Sequence, residues 1–165
     1  MGSKLEIQVT TDKRLIKSVM GHDVLFKASM PDEDIAVYEK GEWVPATDCQ
    51  HLVCDLEGES IAIIRLYAVS NLTVDMHVHL IPEYWGKGVS NHLQPAIEKF
   101  LEENTNYCKI VIQTPQCCRQ VLQAATREGF ELEGILTSAI LWRNKIENIV
   151  LMSKFLNLGA RKVFS

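Results

Sequence analysis

The stretch Pro82-Glu83-Tyr84-Trp85-Gly86-Lys87-Gly88 constrains this chain most, because it follows a strand-like run, Thr73 to Leu80, and opens a strongly helical one. A glycine turn at a strand-to-helix junction leaves backbone N–H groups unpaired at the helix start, where the helix dipole favours an anion. Pro82 ends the strand, and Gly86 and Gly88 allow a ligand to approach the backbone closely. The amides of residues 84 to 89 are therefore expected to surround a phosphate or pyrophosphate. The competing reading is a turn whose glycines serve only its own geometry, with Lys87 as a solvated cation.

Around this turn the pattern is that of a mixed α/β chain. Leu5 to Val9 alternates as a strand, and Thr10-Thr11-Asp12 supplies helix caps ahead of Leu15, Ile16, Val19 and Met20 at helical spacing. Gly21 to Met30 reads as a further helical turn or two, Pro31-Asp32-Glu33-Asp34 as an acidic loop that breaks it, and the region of Gly41 as a short hairpin. Three strands follow, His51 to Asp55, Ser60 to Val69 and Thr73 to Leu80, forming an antiparallel meander. Gly88 to Glu103 carries Val89, Leu93, Ile97, Phe100 and Leu101 on one helical face, and Cys108 to Ile112 is a strand. Strand, helix and strand in that order predict parallel pairing through a right-handed crossover. A helix from Cys117 to Glu128 ends at Gly129, and a long hairpin, Leu132 to Trp142 and Ile146 to Met152, turns at Arg143-Asn144-Lys145. The tail from Asn157 to Ser165 reads as loose.

The 165 residues suit one domain, 1–165, with its core at about 5–155. No apolar run approaches the roughly 18 residues of a membrane span, and the start Met1-Gly2-Ser3-Lys4 lacks a signal-peptide core, so a soluble, cytoplasmic protein is expected. Met1-Gly2-Ser3 also fits an expression scar. The five cysteines, Cys49, Cys54, Cys108, Cys117 and Cys118, show no paired metal spacing and read as thiols, with no metal site expected. A formal charge of −4 disfavours a nucleic-acid binder and is compatible with an amine-bearing partner.

Two motifs in this order of elements resemble the GNAT superfamily of N-acetyltransferases, over roughly residues 5 to 155. Glu83-Tyr84-Trp85-Gly86-Lys87-Gly88 is similar to its acetyl-CoA pyrophosphate loop, commonly Q/R-x-x-G-x-G/A, with glutamate in place of the usual first residue. Gly129-Phe130-Glu131-Leu132-Glu133-Gly134 and the strands after it resemble the closing helix and hairpin of the subgroup that includes ribosomal-protein N-terminal acetyltransferases. The resemblance implies a mixed sheet of about seven strands flanked by helices, with a terminal β-hairpin. It also implies acetyl-CoA as co-substrate, contacted by Leu80, Ile81, Tyr84, Trp85, Gly86, Lys87, Gly88, Val89 and Cys118. Two positions depart from the pattern: the usual cofactor-contacting Asn falls on Cys118, and the Tyr that often protonates the leaving thiolate falls on Ala125.

The reaction implied is direct transfer of an acetyl group to a primary amine, of a protein N-terminus, a lysine or a small molecule, and it needs a proton acceptor. Period-two alternation puts Asp75, His77 and His79 on one face of a strand, opposite Val74, Met76, Val78 and Leu80. Histidine titrates near neutrality, and Asp75 can orient or charge a neighbouring ring. His77 is slightly favoured over His79, which lies nearer the cofactor loop. The competing reading makes all three hydrogen-bonded polar groups beneath a helix or at a partner surface.

Cys117-Cys118 stands at a helix start, which lowers a thiol's pKa and makes it more reactive, but no His neighbour completes a nucleophilic pair and the resemblance implies no acyl-enzyme, so small packing residues are the favoured reading. Tyr84, Trp85, Trp43 and Trp142 suit either a substrate groove or a core edge. A different class of function, a non-catalytic GNAT-like structural or assembly protein of the kind encoded by tailed phages, also fits the resemblance. Its partners would be virion proteins, and exposed strand edges would equally suit a homodimer.

Overall fold

The computed structural model describes residues 4–156; residues 1–3 and 157–165, among them the tail read as loose, lie outside the described residues. The elements run β1 (Leu5–Thr10), α1 (Lys13–Met20), α2 (Asp23–Ser29), α3 (Asp32–Glu39), β2 (Gln50–Leu56), β3 (Glu59–Ala68), β4 (Thr73–Leu80), a 3₁₀ turn (Pro82–Tyr84), α4 (Ser90–Asn104), β5 (Lys109–Pro115), α5 (Arg119–Arg127), β6 (Glu131–Trp142) and β7 (Lys145–Phe155). The strands form one seven-stranded sheet in the order β1-β2-β3-β4-β5-β7-β6. Every neighbouring pair is antiparallel except β4 and β5, which are parallel and joined through α4 as the order of elements predicts.

Each face of the sheet buries its own apolar set. On one side Leu93, Ile97 and Leu101 of α4 and Ala125 of α5 pack on Leu52, Ile64, Val74, Met76 and Ile110. On the other, Ile16, Val19 and Met20 of α1 and Phe26 of α2 pack on Val53 and Ile63, with Met30 and Trp43 closing the layer. The start of α1 is fixed as the sequence suggests: the Asp12 carboxylate accepts from the N–H groups of Arg14 (2.9 Å) and Leu15 (3.1 Å).

Two sequence expectations need correction. Pro31 to Asp34 is not a loop; Pro31 caps α3, and Asp32, Glu33 and Asp34 occupy its first turn. Carboxylates there interact favourably with the helix dipole and its unpaired N–H groups, so an acidic run after a proline starts a helix as readily as it interrupts one. Nor is there a hairpin at Gly41: its φ of 73° lets the chain leave α3, with its N–H donating to Tyr38 O at 2.8 Å. The terminal hairpin does turn at Arg143 and Asn144, whose φ values of 53° and 60° suit a two-residue turn that follows the strand twist.

Candidate active site

The parallel ladder between β4 and β5 contains only Thr73↔Lys109, Val74↔Ile110 and Asp75↔Val111; beyond it β4 runs on to Leu80 and β5 to Pro115 without pairing. The two strands splay, and a cavity of about 680 Å³ opens along the split, between Met76–Leu80 on one side and Ile112–Pro115 on the other. This explains why Val74 and Met76 are buried while Val78, on the same face, is 37% exposed. The backbone follows the same logic. Leu72 O accepts from the N–H groups of Cys108 and Lys109, whereas Ile81 N–H donates to Ile61 on β3. Alternation along the strand therefore aims the Met76 C=O and the N–H and C=O groups of Val78 and Leu80 into the split. The Leu80 carbonyl already accepts the Trp85 indole N–H at 2.6 Å.

At the mouth of the split lies the glycine turn, arranged differently from the sequence expectation. The N–H groups of Tyr84 and Trp85 are not free, since they donate to Ile81 O (3.1 Å) and Pro82 O (3.0 Å) within the 3₁₀ turn. The open donors are those of Gly86, Lys87, Gly88, Val89 and Ser90, which find no acceptor among the described residues. Gly86 and Gly88 adopt φ of 69° and 75°, and a Cβ placed on Gly86 would meet nothing within 4 Å. Helix α4 starts at this point with no side chain capping it. Asn91 and His92 already donate to Gly88 O and Val89 O, so the open Ser90 N–H and the four amides of the turn before it, at the start of a 15-residue helix, make the anion site.

Leu80, Tyr84, Trp85, Gly86 and Cys118 all border the cavity. Ile81 and Val89 instead pack half-buried against the core, and Lys87 is exposed with its ammonium 5.9 Å from the Tyr84 ring centre. Glu83 turns away from the cradle to His22 (3.4 Å). Cys118 begins α5, but its thiol pKa is pushed up to about 11, first by burial and then by Cys117, so desolvation outweighs the helix-start effect and the thiol is not an activated nucleophile. Ala125 is buried in the core beneath the cavity. Trp43 is a core residue, whereas Trp142, though mostly buried, borders the cavity.

Asp75, His77 and His79 share the opposite face, with quite different surroundings. His79 is sealed: Arg65 Nε–H donates to its Nε2 at 3.1 Å, its Nδ1 faces Ser29 Oγ at 3.3 Å, and that hydroxyl donates to Leu25 O at 2.8 Å. The chain of donors fixes Nδ1 as the protonated nitrogen. Burial above all, then the Arg65 charge, holds the His79 pKa well below its ordinary value, so the ring is neutral. His77 Nε2 lies 3.2 Å from Asp75 Oδ2, the ring packs edge-on against Tyr67, and Nδ1 makes no hydrogen bond and is not sealed from solvent. Asp75 is 6% exposed, and its Oδ2 also accepts from Gln113 Nε2 at 2.6 Å. Gln113 stands on β5 just past the last ladder pair, bridging the splayed strands. Nothing in the sequence marked it, or Arg65, because both act through contacts between strands.

His51 is depressed as well, by burial first and then by Arg65. Both histidines are neutral in the fold and titrate at about 6.5 when unfolded, so the unfolded chain binds more protons and stability falls as pH drops through that value. One such ring gives a slope of about 1.4 kcal/mol per pH unit. Urea unfolding at steps from pH 7 to 5.5 should therefore show a falling free energy. A flat profile would mean that His79 takes up its proton inside the fold.

No family model matches the sequence, and no curated protein matches it. Solved structures do match in shape. Spermidine N-acetyltransferase from Vibrio cholerae in complex with CoA and spermine superposes with a TM-score of 0.72 at 16% identity, covering 92% of this chain and 95% of that one. RimL, a ribosomal L7/L12 alpha-N-protein acetyltransferase in complex with coenzyme A, gives 0.71 at 14% identity, covering 94% and 96%. The fold is that of the GNAT N-acetyltransferases, with the mixed seven-stranded sheet and closing hairpin that the sequence motifs imply.

Proposed function

We propose that the chain is an acetyl-CoA-dependent N-acetyltransferase that moves an acetyl group directly to a primary amine. The observation that carries this reading is the split between β4 and β5 with an uncapped helix start and free amides at its mouth. The N–H groups of residues 86 to 90 suit a pyrophosphate, and the unpaired edge of β4 suits an extended chain bearing amides. The solved neighbours hold CoA, which fits the same arrangement. When bound, acetyl-CoA supplies a thioester activated for acyl transfer.

The residues of this chain divide the remaining work. The Val78 N–H, aimed into the split, polarises the thioester carbonyl. His77 is the general base: a carboxylate can only accept, so Asp75 keeps the proton on Nε2 and leaves the Nδ1 lone pair to take a proton from the attacking amine. Asp75 and Gln113 are positioning residues for that ring. His79 lends no lone pair, because Arg65 occupies it, and it serves to anchor α2 to the sheet.

Calorimetric titration with acetyl-CoA tests the cradle. Gly86→Trp puts an indole into the open space above the amides and strains a left-handed position, so affinity should fall at least tenfold. Unchanged affinity would remove the cradle from the cofactor site. One observation favours a second reading, a structural protein that works by contact: edge strand β6 exposes Leu132 (63%), Ile135, Leu136 and Leu141. Failure of the intact chain to bind acetyl-CoA at millimolar concentration would select it.

A further inference from the structure

Two walls face each other across the half of the cavity nearest His77. One is α2, presenting Leu25, Ala28 and Ser29; the other is the tip of the β6–β7 hairpin, presenting Trp142. Arg143 holds the tip in place. Its guanidinium carbon lies 4.3 Å from the centre of the Trp142 ring, and the same group donates to Met30 O at 3.1 Å and to Lys27 O. Asp32, in the first turn of α3, accepts from the N–H groups of Arg143 (2.8 Å) and Asn144 (2.6 Å). The slot is thus held at a set width before any ligand arrives.

Two carboxylates beside the slot are engaged elsewhere: Asp32 is in this clamp, and Asp75 Oδ2 is turned to His77 and Gln113. Among the residues bordering the cavity the carboxylate is Glu128, at the C-terminal end of α5, roughly 15 Å along the helix from Cys118. A second ammonium on the acceptor would be stripped of water with no counter-charge from the lining of the slot, whereas an apolar body avoids that cost and packs on the exposed Ala28 beside the largely buried Leu25 and Trp142.

We infer that the acceptor is a primary amine on an uncharged, largely apolar body, gripped between α2 and Trp142, with Arg143 as the residue that positions this specificity slot. The inference rests on the acetyltransferase reading. An arylalkylamine and the N-terminus of an apolar peptide present the same chemistry and are separated by the test.

The test is steady-state acetylation by the full chain of 2-phenylethylamine, of leucyl-phenylalanine amide and of spermidine, with acetyl-CoA binding measured on the same protein. At least one of the first two should exceed spermidine in kcat/KM by about tenfold or more, and the better of them identifies the source. Ala28→Glu, at an exposed position of α2, should shift the ratio about tenfold towards spermidine while acetyl-CoA binding holds. Arg143→Ala should raise KM for the apolar amine with little change in kcat. Spermidine used as well as the apolar amines, a ratio unmoved by Ala28→Glu, or no turnover of any of the three by a protein that binds acetyl-CoA would overturn the inference. Loss of acetyl-CoA binding itself would overturn the reading beneath it.

Discussion

Replacing His77 with alanine should lower kcat by about 10²-fold or more at neutral pH while leaving acetyl-CoA affinity nearly unchanged. The size follows from the role. An amine that attacks a thioester must shed a proton, and among the groups at the split His77 combines an accessible nitrogen with a carboxylate that fixes which nitrogen it is. Asp75→Asn should cost less than removal of the ring, because the amide still fills the site but no longer dictates the tautomer. Rates measured from pH 6 to 9 separate the two cases: the alanine variant should stay slow throughout, and the asparagine variant should fall between it and the unsubstituted chain. Wild-type turnover in His77→Ala across that range would take the ring out of the mechanism.

Phe26→Ala should destabilise the fold by about 3–5 kcal/mol, the range for emptying an aromatic from a close-packed site. Phe26 is completely buried, stacks on Tyr38 at 4.2 Å between ring centres and meets Trp43 edge-on at 4.9 Å. No small shift of α2 fills the space, since Ser29 ties the end of that helix to His79 and Arg143 ties the following turn to the hairpin. Denaturant unfolding at pH 7.5, above the range in which His51 and His79 affect stability, isolates the packing effect. A loss under about 1.5 kcal/mol would mean that the three rings repack. Because α2 also carries Leu25 and Ala28, the variant should lose acceptor affinity before it loses cofactor affinity.

Much of this architecture was legible in the chain. Alternation in β4 placed Asp75, His77 and His79 on one face, and the crossover rule placed β5 beside β4. Periodicity reports which face a residue takes, however, and not what stands opposite it. His77 and His79 are indistinguishable by pattern; Arg65, Ser29 and Gln113 make one a sealed neutral ring and the other an open one. The clamp between Asp32 and Arg143 joins residues 111 positions apart, and no local signal announces it. Where local rules did speak, a competing term sometimes won. The acidic run after Pro31 became a helix start through the dipole, and the helix-start thiol of Cys118 became a weak acid through burial.

The brevity of the β4–β5 ladder has a mechanical consequence. Three residue pairs join the half-sheet β1–β4 to the half-sheet β5–β7–β6, whereas the pairings within each half run longer. The usual gradient of rigidity, stiff in the middle and loose at the rim, is therefore inverted, with the weakest hydrogen-bonded seam at the centre of the sheet. A ligand that lies along the seam acts as a temporary strand, so that the protein acquires its full stiffness only while it holds what it works with.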